Sequence, residues 1–134
     1  MDTLRKKSFG MLIMLAAQYA LGMYTNLFVQ FPETRNEEAL WKFAWTQAVL
    51  AGHIVLGFGL LAGSVAFLVT VLRQKVRKLK PAAVAGVVCI LGAVASGALF
   101  VDMQNGLYSF CMAVFFLGAF AAYAFAAFVR DNNQ

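Results

Sequence analysis

The chain has 134 residues, of which 62% are hydrophobic and 13% are charged, and its mean hydropathy is +0.74. A soluble domain is usually about 45–50% apolar and about 25% charged, so this chain could not cover a soluble globule with polar surface. The net charge of +5 does not indicate a nucleic-acid partner, because nearly all basic residues lie in two short segments that border apolar runs. The composition predicts one integral membrane domain, residues 1–134, whose main partner is the lipid bilayer.

The first predicted span covers residues 8–30. A helix of that length rises about 34 Å, at about 1.5 Å per residue, and so crosses a hydrocarbon core of about 30 Å. The run is longer than the apolar part of a signal peptide, and no small-residue cleavage site follows it, so we interpret it as a retained span. Pro32 ends it, because the residue before a proline avoids the helical region.

The polar segment after this span predicts a short interfacial helix over residues 35–43. Thr34 to Glu37 match a capping box, in which Thr34 is the N-cap residue and Glu37 reaches back to it. Trp41 and Trp45 suit the headgroup level of a membrane. The segment is an interfacial anchor, the projecting start of the next span, or a lid over an opening.

Three further spans are predicted over residues 44–72, 81–101 and 107–129. Small residues follow one face of the second span and one broad face of the third, which allows neighbouring helices to approach closely. The predicted fold class is all-α: a polytopic membrane protein with a four-transmembrane-helix bundle and a short interfacial helix between spans 1 and 2. The small-residue faces also suggest a homo-oligomer or a place in a larger membrane complex.

The distribution of basic residues predicts the orientation. Nine of the eleven lie near the termini or in the loop 73–80: Arg5, Lys6, Lys7, Arg73, Lys75, Arg77, Lys78, Lys80 and Arg130. Lysine and arginine are enriched in cytoplasmic loops. We therefore expect both termini and this loop in the cytoplasm, and the protein in the plasma membrane (the inner membrane of a bacterial cell).

His53 is the only histidine of the chain, and it lies in a run without charged residues. In the predicted topology it lies about two helical turns below the outer surface. Polar groups in hydrocarbon should find one another, water or a ligand, and Asn26 and Gln47 are the expected neighbours of His53. The predicted ligand-binding site in the outer half comprises seven residues: His53, Asn26, Gln47, Gln18, Asp102, Asn105 and Ser109.

Three interpretations of His53 remain open. It is a neutral residue that joins helices by a hydrogen bond, a proton-exchanging group in a ligand or ion pocket, or an axial ligand of haem b. A second haem ligand would be a methionine, come from another subunit, or be absent; the outer methionines are Met23, Met103 and Met112. A pair of Asp102 with His53 is a further possibility.

The predicted function is non-enzymatic binding or transport of a small solute or ion at a site around His53. A haem-binding membrane protein and an accessory or structural subunit of a membrane complex are the alternatives. We predict no catalytic residues, because the sequence has no Gly-rich phosphate loop, no C-x-x-C motif and no Ser-His-acid set in close sequence.

Three segments resemble parts of small, uncharacterised four-helix membrane proteins of bacteria. They are residues 22–32 (GMYTNLFVQFP), 53–57 (HIVLG) and 105–113 (NGLYSFCMA). The resemblance implies the four-span topology and draws attention to Asn26, His53 and the 105–109 turn. It implies no activity.

Overall fold

The structure, a computed structural model, describes residues 2–34 and 36–129. Its α-helices are α1 (Asp2–Phe28), α2 (Glu37–Thr46), α3 (Ala48–Arg73), α4 (Lys80–Met103) and α5 (Gly106–Phe128), and a 3-10 turn (Arg77–Leu79) precedes α4. Strands are absent from the described residues. All helices except α2 are long and apolar enough to cross a membrane. The predicted all-α fold, with four spans and a short helix between the first two, is confirmed.

The four long helices form a ring of antiparallel neighbours. α1 packs on α3, α3 on α4, α4 on α5, and α5 on α1. α2 packs against α3 and α4, at the end of the bundle where α1 ends and α3 begins. We call this the α2 end. The opposite end carries the α3–α4 connection with its basic residues, and we call it the basic end.

Heptad spacing explains how α1 and α3 pack along their length. Buried and half-buried residues recur at alternating intervals of three and four, which is the pattern of left-handed helix pairs. On α1 they are Leu4, Ser8, Met11, Leu15, Gln18, Gly22 and Thr25. On α3 they are Leu50, His53, Gly57, Leu60, Ser64, Phe67 and Val71. Toward the basic end each stripe is apolar apart from one serine, whereas toward the α2 end most of its positions are polar or small, with Leu50 the exception.

Two breaks separate α2 from its neighbours. Asn36, not Thr34, is the N-cap residue, because its Oδ1 accepts hydrogen bonds from the backbone N–H groups of Glu38 and Ala39 at 3.0 and 3.4 Å. The predicted capping box is therefore wrong, and the predicted first residue of this helix, 35, lies outside the described residues. At its other end the extended backbone of Gln47 (φ −83°, ψ 108°) separates α2 from α3. Residues 44–46 thus belong to α2 and not to the second span.

Glycines allow α4 and α5 to approach closely. A Cβ atom at Gly86 would lie 2.7 Å from the Tyr123 Oη, and one at Gly92 would lie 2.7 Å from the Phe115 ring. Tyr123 is fully buried, and its ring also contacts that of Phe67 on α3 at 5.5 Å. Large side chains of α5 therefore fill the space that the glycines of α4 leave open, as the small-residue face of this span predicted.

The contact between Gly86 and Tyr123 predicts the effect of a single methyl group. Gly86→Ala should lower the free energy of unfolding by about 1–3 kcal/mol, because the added Cβ overlaps a fully enclosed ring. Gly10→Ala is the control, since a Cβ at Gly10 meets nothing within 4 Å, and it should be neutral or stabilising. Unfolding in mixed detergent micelles measures both. Equal stabilities of the two variants would contradict the packing described here.

Candidate functional site

His53 of α3 meets Gln18 of α1 at the interface of these two helices. Gln18 Nε2 lies 3.2 Å from His53 Nε2 and donates a hydrogen bond to the backbone oxygen of His53 at 3.1 Å. One glutamine amide thus binds both the ring and the backbone of the histidine. The side chains of both residues are half-buried.

Glycines on both helices make room for these two polar side chains. A Cβ atom at Gly22 would lie 3.0 Å from His53 Cε1, and one at Gly57 would lie 3.4 Å from Gln18 Nε2. Gly22 is one helical turn beyond Gln18, and Gly57 is one turn beyond His53. Each polar side chain therefore lies against a glycine of the opposite helix, and the imidazole is held tightly against α1.

Three polar atoms at this interface have no hydrogen-bond partner within residues 2–34 and 36–129. They are Gln18 Oε1, His53 Nδ1 and Thr25 Oγ1, and each is shielded from solvent. Thr25 follows Gly22 on the same stripe of α1. A buried polar group without a partner costs about 1–3 kcal/mol, so these atoms are places where another molecule can supply hydrogen bonds. We call Gln18, Thr25 and His53 the polar cluster.

A cavity of about 320 Å³ lies at the α2 end, and its lining does not include Gln18, Thr25 or His53. Val49 of its lining precedes His53 by one helical turn, and Tyr24 of its lining adjoins Thr25. Its lining combines three aromatic rings, two amides and three aliphatic side chains: Tyr24, Phe28, Val29, Gln30, Phe43, Gln47, Ala48 and Val49. None of these residues is charged.

The structure brings together only two of the seven predicted site residues, His53 and Gln18. Asn26 is exposed, and Gln47 is exposed and lines the cavity. In the described part of the chain neither side chain forms a hydrogen bond with His53, so the expectation that these residues are its neighbours is not met. The physical reason is rotation about the helix axis. Asn26 is one position beyond Thr25 and therefore about 100° away from the face that α1 turns toward α3.

The remaining predicted residues, Asp102, Asn105 and Ser109, lie at the α2 end and do not form a site with His53. Asp102 Oδ1 accepts a hydrogen bond of 2.6 Å from Trp41 Nε1, so the suggested pair of Asp102 with His53 is not formed. Asn105 is the N-cap of α5, with its Oδ1 accepting the backbone N–H of Leu107 at 2.9 Å. Ser109 is half-buried.

The bond between Trp41 and Asp102 fastens α2 to α4. An aromatic cluster also holds α2 in place. The centroid of the Phe31 ring lies 5.4 Å from that of Phe43 and 5.7 Å from that of Phe100. Since Phe43 also lines the cavity, the attachment of α2 determines the shape of the cavity wall.

Removal of this bond should loosen α2. Asp102→Ala takes away the acceptor of the Trp41 N–H, and we expect the backbone amides of residues 37–46 to exchange with deuterium about tenfold faster, as for a lost hydrogen bond of about 1.5 kcal/mol. Exchange in α5 should not change. Glu33→Ala, at an exposed acid, is the matched control. Unchanged exchange in α2 would show that the aromatic cluster alone holds this helix.

The surroundings of His53 do not fit a haem. The ring is enclosed by Gln18 at Nε2 and by Gly22 at Cε1, and Nδ1 is shielded from solvent. A haem needs a free imidazole nitrogen beside an open slot for the macrocycle, and α1 fills that space. The candidate second ligands are exposed or lie on α5: Met23, Met103 and Met112. The described residues also contain no group of three or more His, Cys, Asp or Glu side chains that could hold a metal ion.

This geometry predicts that the protein does not bind haem. The purified protein should show no Soret absorption band, and addition of haem should give the same difference spectrum for the unmodified chain and for His53→Ala. A Soret band that appears with the unmodified chain and disappears in His53→Ala would contradict the packing of His53 against Gly22.

The predicted site omitted the half-buried Thr25, although its spacing from Gln18 and Gly22 indicates a polar stripe that faces protein, and the sequence analysis missed the buried Tyr123. Thr25 belongs to the polar stripe of α1, and its position three residues after Gly22 was the available signal. The Tyr123 hydroxyl has no hydrogen-bond partner in the described part of the chain and lies toward the basic end. Tyr123 lies in a segment rich in phenylalanine, so its aromatic side chain gave no separate signal in the sequence.

No protein-family model, curated protein or solved structure matches this chain. The fold and the site define an integral membrane protein built on a four-helix bundle, with a polar cluster between its first and second spans.

Proposed function

We propose that this protein is a non-enzymatic membrane protein that binds a small solute or ion at the polar cluster, as the binding step of its transport. The observation that carries the proposal is the set of unpartnered atoms at the interface of α1 and α3: Gln18 Oε1, Thr25 Oγ1 and His53 Nδ1.

The alternative, that Gln18 and His53 only join the helices, explains part of this arrangement. The amide nitrogen of Gln18 is fully used by His53. The remaining polar atoms are not used, and a purely structural contact gains nothing from enclosing them. Interhelical hydrogen bonds in membranes contribute only about 0.6 kcal/mol on average, which is less than the cost of about 1–3 kcal/mol for each buried polar group without a partner. A bound solute supplies the hydrogen bonds that these polar atoms lack.

The cavity supports access from the α2 end. Its lining residue Val49 precedes His53 by one turn of α3, and its volume of about 320 Å³ accommodates a small molecule. We propose that both termini and the basic end lie in the cytoplasm, because that end carries most of the lysine and arginine residues. The cavity then faces the outside of the plasma membrane.

Oligomerisation and membership of a larger complex stay predictions. Gly52 leaves part of the small-residue face of α3 uncovered, since a Cβ there meets nothing within 4 Å. This gives a helix of another chain space to approach, but it selects no particular partner.

Nitrogen-15 NMR of His53 tests the proposal, because the chain has a single histidine and histidine labelling reports that residue alone. The protein, purified without a histidine tag and placed in lipid nanodiscs, is titrated separately with urea, glycerol, formamide, potassium, ammonium and formate. At least one of them should shift the His53 signals saturably.

Two variants show whether the response arises at the polar cluster. Gln18→Leu removes an acceptor of the cluster and should weaken the response at least tenfold. Gln74→Leu is the matched control, because it makes the same change at an exposed amide of the basic end, and it should respond as the unmodified chain does. Absence of a saturable response in the folded, unmodified protein would overturn the proposed function.

A further inference from the structure

We infer that the solute is an uncharged molecule with both a hydrogen-bond donor and an acceptor, of the kind found in small amides and alcohols. This inference rests on the proposed function and goes further by excluding ions. It follows from the hydrogen bonds of Gln18, which determine the roles of the unpartnered atoms.

The orientation of the Gln18 amide is determined by the backbone of His53. The amide atom 3.1 Å from the His53 carbonyl oxygen must be a donor, because a carbonyl oxygen only accepts hydrogen bonds. It is therefore the nitrogen. A flipped amide would place two acceptors against each other, so Gln18 Oε1 points away from this contact and is an acceptor without a partner in the described part of the chain.

The same amide nitrogen determines the tautomer of His53. It lies 3.2 Å from the ring Nε2, and an amide nitrogen only donates. Nε2 must therefore offer a lone pair, and in a neutral imidazole the proton then resides on Nδ1. His53 Nδ1 is thus an N–H donor that has no partner among residues 2–34 and 36–129. A charged imidazolium is incompatible with this contact, because both of its nitrogens are donors.

The polar cluster consequently presents one fixed donor, His53 Nδ1–H, and one fixed acceptor, Gln18 Oε1. Thr25 adds a hydroxyl that serves as either. The cluster provides no carboxylate for a cation and no positive charge for an anion. Removing an ion from water without a compensating charge is strongly unfavourable, so an uncharged solute with a donor and an acceptor matches these atoms better than an ion does.

The cavity favours the same class of molecule. Its three rings, Tyr24, Phe28 and Phe43, accept the apolar part of a solute, and the amides of Gln30 and Gln47 accept its polar part. The volume of about 320 Å³ equals that of roughly ten water molecules at about 30 Å³ each. The solute is therefore small.

Three small probes of different charge test the inference: formamide, which is neutral and has both a donor and an acceptor, ammonium, and formate. The readout is nitrogen-15 NMR of His53 in nanodiscs at neutral pH. Without a probe, Nδ1 should be protonated and Nε2 should not. Formamide should then shift the Nδ1 signal saturably, with half-saturation at a concentration at least tenfold lower than for ammonium or formate.

Two variants locate the effect. Thr25→Val keeps the shape of the side chain and removes its hydroxyl, and it should raise the half-saturating concentration of formamide several-fold. It should leave the nitrogen signals of the probe-free protein almost unchanged, which confirms that the variant folds. Gln74→Leu should behave as the unmodified chain.

The outcomes separate this inference from the proposed function. A proton on Nε2 in the probe-free protein, or a response to ammonium or formate at the same or lower concentration than to formamide, overturns the neutral-solute inference and leaves a binding site in place. No saturable response to these three probes or to urea, glycerol and potassium overturns both.

Discussion

The contact of one glutamine amide with one histidine determines how the first two spans fit together. Gln18 donates to both the ring and the backbone carbonyl of His53. In hydrocarbon no water replaces a lost hydrogen bond, so a shift of α1 along α3 by one turn would leave both residues unpaired. The glycines opposite them, Gly22 and Gly57, leave space for these side chains only in this register. The rest of the α1–α3 interface, which is mostly apolar, follows the alignment set here.

Apolar packing alone would specify this bundle less well. In a membrane the outside of a helix is as apolar as its inside, so burial gives little preference for one rotation or register over another. α4 and α5 solve this by shape, with Tyr123 and Phe115 placed over Gly86 and Gly92. α1 and α3 solve it with polar groups near the α2 end. The two pairs of helices thus achieve a unique fit by different physical means.

Because the lipid-facing and protein-facing sides of these helices are similarly apolar, some features of the structure could be predicted from the sequence and others could not. Hydropathy and Pro32 predicted four spans and a short helix between the first two, because length and polarity are local properties. The partner of His53 could not be predicted by depth, because Gln18 and Asn26 differ in rotation as well as height. The bond between Trp41 and Asp102 joins residues far apart in the chain, and each of them had a plausible role as an anchor or a helix-end acid. Heptad spacing from Leu4 to Thr25 was present in the sequence, but lipid-facing apolar residues between these positions concealed it.

The choice of side chains ties the helix contact to the site. The side-chain nitrogen of Gln18 donates hydrogen bonds to His53, and its side-chain oxygen remains an acceptor for another molecule. A glutamate would place an acceptor against the His53 carbonyl oxygen, and a leucine would leave both the carbonyl and the ring nitrogen without this donor. Because the amide has one end for each purpose, the contact that sets the register of α1 on α3 also fixes which atoms remain free. The polarity of the site is in this sense a consequence of the way the first two spans are held together.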